Sequence, residues 1–313
     1  MKNNIEIKKI YCLTLEKNYE RWNILKKTLD DSKLDIPYNK ILGIDGSKMQ
    51  MSIIQKECSS LTKNFFITHQ MYGKKKSHYL LWKEIVKHNK NDNEFFIILE
   101  DDCILPNNFN EYIIKLNKFL TKIPKDLIEQ TDLFNLSPTG DYSLNKNFNE
   151  NVLSLLTHLI TLISSKKKYD NKILYELEEF KLINSNFPLS THSYLVNLKQ
   201  LNKLINSIED NQFTYHLDIF LNTENFNINS ITPIEIKRGG IEDSHSFFNT
   251  NPVFATKILT LFNKELAYEL SRPLVNIFGC YPLSILIIFY VIFLIIWQCI
   301  DLPGIIQDYF SNI

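Results

Sequence analysis

Three carboxylates stand in a row at Glu100-Asp101-Asp102, directly after the apolar run Phe95-Phe96-Ile97-Ile98-Leu99. Acids crowded at one strand end repel each other and cost desolvation unless a cation or water sits among them. Hard divalent cations such as Mg²⁺ and Mn²⁺ prefer oxygen ligands. In open α/β sheets, ligands bind beyond the carboxyl ends of the strands. The chemistry this suggests is a metal site holding the diphosphate of a nucleotide, with Asp102, furthest out of the sheet, as its foremost ligand. The plain alternative is a strand running into a solvated acidic turn. The run that delivers the acids is rich in Phe and Ile, as expected of a strand buried on both faces.

Upstream stands Gly73-Lys74-Lys75-Lys76-Ser77-His78, then Leu81-Trp82-Lys83. Gly, Ser-His, Leu-Trp-Lys and then Ile-Leu-Glu-Asp-Asp together resemble the signature of glycosyltransferase family 25. That family includes lipooligosaccharide galactosyltransferases of bacteria and collagen-modifying glycosyltransferases of animals and giant viruses. The resemblance implies an α/β fold: a GT-A-type nucleotide-sugar-binding domain with a mixed central sheet flanked by helices. It also implies a UDP-sugar donor carrying galactose or glucose, Mn²⁺ (or Mg²⁺) as cofactor, and a glycan, lipid-linked glycan or collagen-like protein as acceptor.

The resemblance further implies roles for single residues. Arg21, Asp45, Ser77, His78 and Asp101 would lie near the donor. Asp218, on the family's Val-Asp-x-x-Leu, would be the base that deprotonates the acceptor. Glu100 and Asp102 would hold the metal, and His245 would close its shell, since many GT-A enzymes return a C-terminal histidine to the metal. Each has a plainer alternative: Arg21 as a solvated helix residue, Ser77 as the N-cap of a helix over Tyr79 to His88, Asp218 as a helix cap, His245 as a surface histidine. The chain also departs from the pattern. Of the family's Gly-x-x-Gly-Cys only Gly73 remains, and Lys74, Lys75 and Lys76 fill the space, as phosphate contacts or as a solvated face. Thr191-His192-Ser193-Tyr194 stands for Thr-Gly-Ala-Tyr, so His192 narrows the pocket or changes the acceptor. These departures motivate a second reading, a catalytically degenerate, membrane-anchored binding or scaffold protein.

Hydrophobic periodicity supplies the elements that would position these groups. Ile10–Leu15, Ile36–Ile41 and Asp132–Leu136 read as strands, and Ile228–Ile236 as a last strand that Pro233 confines to an edge. Glu16–Asp31 reads as a helix with Trp22, Leu25 and Leu29 on one face, and Phe109–Leu120 follows suit. By resemblance to the family, Thr191–Val196 is a strand and Lys199–Ile208 the helix after it. Val152–Ile163 is strongly apolar but too short for a bilayer crossing.

At 313 residues the chain accommodates one catalytic domain over 1–260, a linker over 261–280 and a tail over 301–313. Between linker and tail, Tyr281 to Ile300 carries no charge and predicts a transmembrane helix. Lys264 and Arg272 precede it, while Asp301 and Asp308 follow. Positive charge stays inside, so a single-pass membrane protein with a cytoplasmic catalytic domain is expected. Met1 to Lys9 is polar and does not read as a signal peptide. Lys plus Arg and Asp plus Glu are 35 each, which gives no field for a nucleic-acid partner. Cys12, Cys58, Cys103, Cys280 and Cys299 are scattered and odd in number, which argues against a disulfide framework or a zinc site and for a reducing compartment.

Overall fold

A computed structural model of the chain describes residues 5–58, 69–141, 144, 171–211, 217–224 and 226–239. The chain divides into two units, Met1–Ser244 and His245–Ile313, and all described residues belong to the first. The strands are β1 (Glu6–Thr14), β2 (Tyr38–Leu42), β3 (Glu94–Glu100), β4 (Cys103–Ile104), β5 (Leu133–Asn135), β6 (Thr139–Asp141), β7 (Lys172–Leu177), β8 (Phe180–Asn184), β9 (Phe187–Leu189), β10 (Ser193–Asn197), β11 (Ile228–Thr232) and β12 (Lys237–Arg238). The helices are α1 (Tyr19–Asp31), α2 (Met51–Lys56), α3 (His69–His88), α4 (Phe109–Lys122), α5 (Lys125–Gln130), α6 (Leu198–Asn211) and α7 (Leu217–Thr223).

Eight strands form one mixed sheet in the order β2-β1-β3-β10-β5-β11-β8-β7. β1 runs parallel to both β2 and β3, so the carboxyl ends of all three lie on one edge. β10 is antiparallel to β3, with Ser193 opposite Leu99. β12 pairs with β4 just beyond the acidic run.

Helices cover both faces because the central strands are apolar on both sides. Along β3, Phe95, Ile97 and Leu99 pack with Trp22, Leu25 and Leu29 of α1 and with Phe109, Ile113, Leu116 and Leu120 of α4. The alternate residues Phe96 and Ile98 pack with Trp82 and Ile85 of α3, Leu201 and Leu204 of α6 and Phe220 of α7. All five β3 side chains are fully buried, the expected result of a two-residue side-chain period on a sheet covered twice. A mixed sheet flanked by helices is consistent with the GT-A arrangement.

Several expectations are corrected. Ser77 does not cap a helix, because α3 begins eight residues earlier, at His69. Its hydroxyl donates to the Gly73 carbonyl one turn back (2.6 Å) and accepts from the Ile44 amide (2.7 Å). The helix continues through Gly73 because that residue lets two backbones touch: a Cβ there would sit 2.7 Å from both the Gly46 nitrogen and the Ile44 carbonyl. The lysine run is not a solvated face: Lys75 is 1 % exposed, and Lys74 and Lys76 pair with Glu100 and Glu57. β11 is an interior strand between β5 and β8. Pro233 falls just after it, where no ladder N–H is lost.

The expectation of a membrane-spanning helix is also corrected, and with it the membrane partner and the single-pass location with a cytoplasmic catalytic domain. Among the described residues no helix is long and apolar enough to cross a membrane. The longest, α3, has 20 residues but carries Lys74, Lys75, Lys76, Lys83, Glu84 and Lys87; a span needs about 20 predominantly apolar residues. Tyr281–Ile300 lies outside the described residues, as do Val152–Ile163 and His245. No anchor is assigned to the chain.

Candidate metal centre and donor edge

The acidic run splits in two directions as it leaves β3. Glu100 and Asp102 turn towards β10, and Asp101 turns towards β1. The register sets this up. Pairing of Ser193 with Leu99 brings His192 beside Glu100, whose amide donates to the His192 carbonyl (2.7 Å). His192 Nδ1 then lies 2.7 Å from Asp102 Oδ1 and 3.7 Å from Glu100 Oε2. One ligand atom from each of Glu100, Asp102 and His192 falls within 4.8 Å of the others.

This donor set fits a divalent cation. With metal–ligand bonds of about 2.1 Å, neighbouring ligand atoms of an octahedron stand about 3 Å apart, and the two His192 separations bracket that value. Two carboxylates supply the charge and the oxygen donors that Mg²⁺ and Mn²⁺ favour, while the imidazole leans towards the transition metal. Glu100 is held ionised for that role. Burial alone would raise its pKa, but the Lys74 ammonium, then His192 and His78, hold it well below the ordinary glutamate value.

Behind Glu100 lies a closed chain of hydrogen bonds. Trp82 Nε1–H donates to the Tyr194 hydroxyl (2.8 Å). That hydroxyl lies 2.7 Å from His78 Nδ1, and His78 Nε2 lies 3.2 Å from Glu100 Oε1. The partners assign the tautomer: Tyr194 donates to a bare Nδ1, and Nε2 carries the proton towards the carboxylate. A neutral ring agrees with burial, which lowers the His78 pKa against the pull of Glu100. Thr191 Oγ1 (2.8 Å) and Lys74 Nζ (2.8 Å) bond the same oxygen, so Glu100 Oε1 has three protein donors.

Asp101 faces a different set. Its Oδ2 accepts from Thr14 Oγ1 (2.6 Å) and Asn18 Nδ2 (2.9 Å), tying the end of β3 to the end of β1 and the turn into α1. Arg21 approaches only to 3.8 Å through Nη1, while its Nη2 is buried without a hydrogen-bond partner. Burial raises the Asp101 pKa, opposed by Thr14 and Asn18 and reinforced by Asp102. Beyond β2, Asp45 accepts from the Ser47 amide (3.1 Å) and pairs with Lys17 (3.0 Å). Burial would raise its pKa, yet Ser47 and Lys17 together lower it.

Of the residues singled out in the sequence, the structure therefore brings Glu100 and Asp102 together, and sets Asp101, Arg21 and Asp45 along the same sheet edge. Ser77 staples the loop after β2 to α3. His78 is fully buried behind Glu100 and touches the carboxylate rather than open space. Asp218 is buried at the start of α7 and is not one of the three clustered ligands. Asn222 of α7 bonds the Pro188 carbonyl (2.7 Å), which ties this helix to the segment leading into His192. From the sequence, His192 is a substitution that narrows the pocket or changes the acceptor. Its signal was present, a histidine where the family pattern has a small residue, but its meaning depends on the β10–β3 register.

No curated protein matches the chain in sequence. Among solved structures, mouse xyloside xylosyltransferase 1 in its apo form matches with a TM-score of 0.30 and 10% identity, over 69% of this chain and 67% of that one; a likeness this low does not establish a shared fold. The family described as Glycosyltransferase family 25 (LPS biosynthesis protein) matches residues 7–221, well over half of the chain and a span that includes Glu100, Asp102 and His192. The chain belongs to glycosyltransferase family 25.

Proposed function

We propose that the protein transfers a hexose, galactose or glucose, from a UDP-sugar to a hydroxyl of a glycan or protein acceptor, with a divalent cation held by Glu100, Asp102 and His192. The observation that carries this reading is the cluster itself, at the carboxyl edge of β3 and inside the family's matched span. Mn²⁺ suits the mixed oxygen and nitrogen set best. Bound there, the cation supplies positive charge against the diphosphate that departs.

The chain's own residues do the rest. Arg21 has a buried guanidinium nitrogen with no hydrogen-bond partner in the protein, which supports a contact to the nucleotide sugar. Asp45 and Ser77 complete the expected donor set: Asp45 at the uridine or ribose, Ser77 holding the loop on which Asp45 sits. Asp218 takes the proton of the acceptor hydroxyl as its oxygen bonds to the anomeric carbon and the bond from that carbon to the phosphate oxygen breaks, releasing UDP. Supporting that role is its place on a helix joined through Asn222 to the segment before His192.

The test is a panel of UDP-sugars incubated with the full chain and Mn²⁺, followed for UDP release, then a panel of acceptors with the preferred donor. We expect release from UDP-galactose or UDP-glucose that chelation of the metal abolishes. Asp218→Asn should lower kcat far more than it weakens donor binding. Absence of metal-dependent release with every donor would leave a non-catalytic member of the family.

A further inference from the structure

The lysine at the mouth of the cluster is not accounted for by metal holding. Lys74 Nζ sits 2.8 Å from Glu100 Oε1, and its side chain is 21% exposed. The two other donors to that oxygen, Thr191 and His78, are buried. So Lys74 is the partner of Glu100 that retains access to solvent. It is also the one on a long flexible stem carrying a full mobile charge.

A cation that stabilises ionised Glu100 from one side competes with any second cation drawn to the same carboxylate. We propose that Lys74 is a built-in counter-cation of this site: it neutralises Glu100 in the unloaded protein, opposes binding of the divalent ion, and turns its ammonium to the diphosphate of the donor once the ion is in place. The proposal rests on the metal-site reading above. The long stem of Lys74 and its 21% side-chain exposure permit the turn. The arrangement would couple donor to metal. The ion would bind weakly alone and firmly with the nucleotide, since the displaced ammonium gains a partner only when phosphate is present.

The prediction has opposite signs in two binding assays, which a merely structural lysine would not produce. Mn²⁺ binding to the full chain is read from the free-ion electron paramagnetic resonance signal, without turnover. UDP binding is read by calorimetry at saturating Mn²⁺. Removing a full charge held 2.8 Å from the carboxylate should let Lys74→Met bind Mn²⁺ about ten-fold more tightly and UDP about ten-fold more weakly. Lys74→Arg keeps the charge; it should stay near the wild type in both assays, and it provides the check if Lys74→Met folds poorly. Mn²⁺ affinity that is unchanged or lower in Lys74→Met overturns the proposal, as does unchanged UDP affinity, as does an arginine variant that behaves like methionine. Failure of the wild type to bind Mn²⁺ at all would instead remove the metal-site reading beneath it.

Discussion

Glu100 and Asp101 are adjacent, both carboxylates, both largely withdrawn from water, and their proton affinities move in opposite directions. Glu100 sits among Lys74, His192 and His78 and is held well below its ordinary value. Asp101 sits among the neutral donors Thr14 and Asn18, with Arg21 no closer than 3.8 Å, and is raised. The strand's two-residue alternation, continued two residues past its end at Glu100, sorts the three acids into these surroundings: Glu100 and Asp102 one way, Asp101 the other. The difference teaches that position on the pleat, rather than residue type, separates a charged ligand pair from a structural tie between β3 and β1.

Breaking that contrast gives the largest expected effect. Asp102→Asn removes a charged donor from the cluster without changing shape and should lower metal-dependent turnover by about 10²-fold or more, with Mn²⁺ binding weakened in parallel. Asp101→Asn leaves an amide oxygen that Thr14 and Asn18 can still bond. It should keep turnover within about ten-fold of the wild type, since it gives up no interaction confined to the transition state. Equal losses in the two variants, measured as UDP release with Mn²⁺ titrated to saturation, would erase the distinction.

The support behind Glu100 comes next. His78→Leu deletes one of the three donors to Glu100 Oε1 and leaves the fully buried Tyr194 hydroxyl without its acceptor. Leaving buried polar groups unmatched costs about 1–3 kcal/mol, so the melting temperature should fall by several degrees. The same change at exposed His88, paired only with Glu84 on its own helix, should move it by less than a degree, because exposed ion pairs contribute little. A His78→Leu melt that matches wild type would show that the relay is dispensable.

How much of this was legible in the chain depends on the range of the interactions. β3 was legible because five consecutive apolar residues can only satisfy themselves between two layers. The face of α1 was legible because Trp22, Leu25 and Leu29 recur at helical spacing, and all three are buried. The start of α3 was not. Gly73 and three lysines look like a helix breaker followed by a solvated run, and only the close approach of the Gly46 and Ile44 backbone explains why glycine is wanted inside that helix. The hairpin of β7 and β8, which forms one end of the sheet, leaves little pattern in the sequence because its strands are short and β7 has no fully buried residue. In the site, the acidic run announces Glu100 and Asp102. His192 reaches them from about ninety positions away, through a strand register that no local pattern encodes.

Lys74 and Lys75 repeat the opening contrast with the opposite charge. Lys74 has a carboxylate at 2.8 Å. Lys75, one position on, lies with its Nζ 3.6 Å from the centre of the Phe220 ring in the apolar layer between α3 and α7. Burial pushes the Lys75 pKa down from 10.5 to about 7, with Glu224 and Cys58 pulling weakly the other way. The unfolded chain therefore binds more protons at this position than the folded one between about pH 7 and 10.5, and stability rises with pH across that window. Below about pH 7 the cost of the buried ammonium is fully present and the contribution is flat. Lys75→Met keeps the volume and removes the charge. It should melt a few degrees higher than wild type at pH 7, with the gap narrowing towards pH 9 as the wild-type amine sheds its proton. The difference between the two melting curves, taken at half-unit steps from pH 6 to 9, isolates this group from the other lysines. A constant difference across the series would mean that Lys75 keeps an ordinary ammonium, and the contrast between the two neighbours would fail.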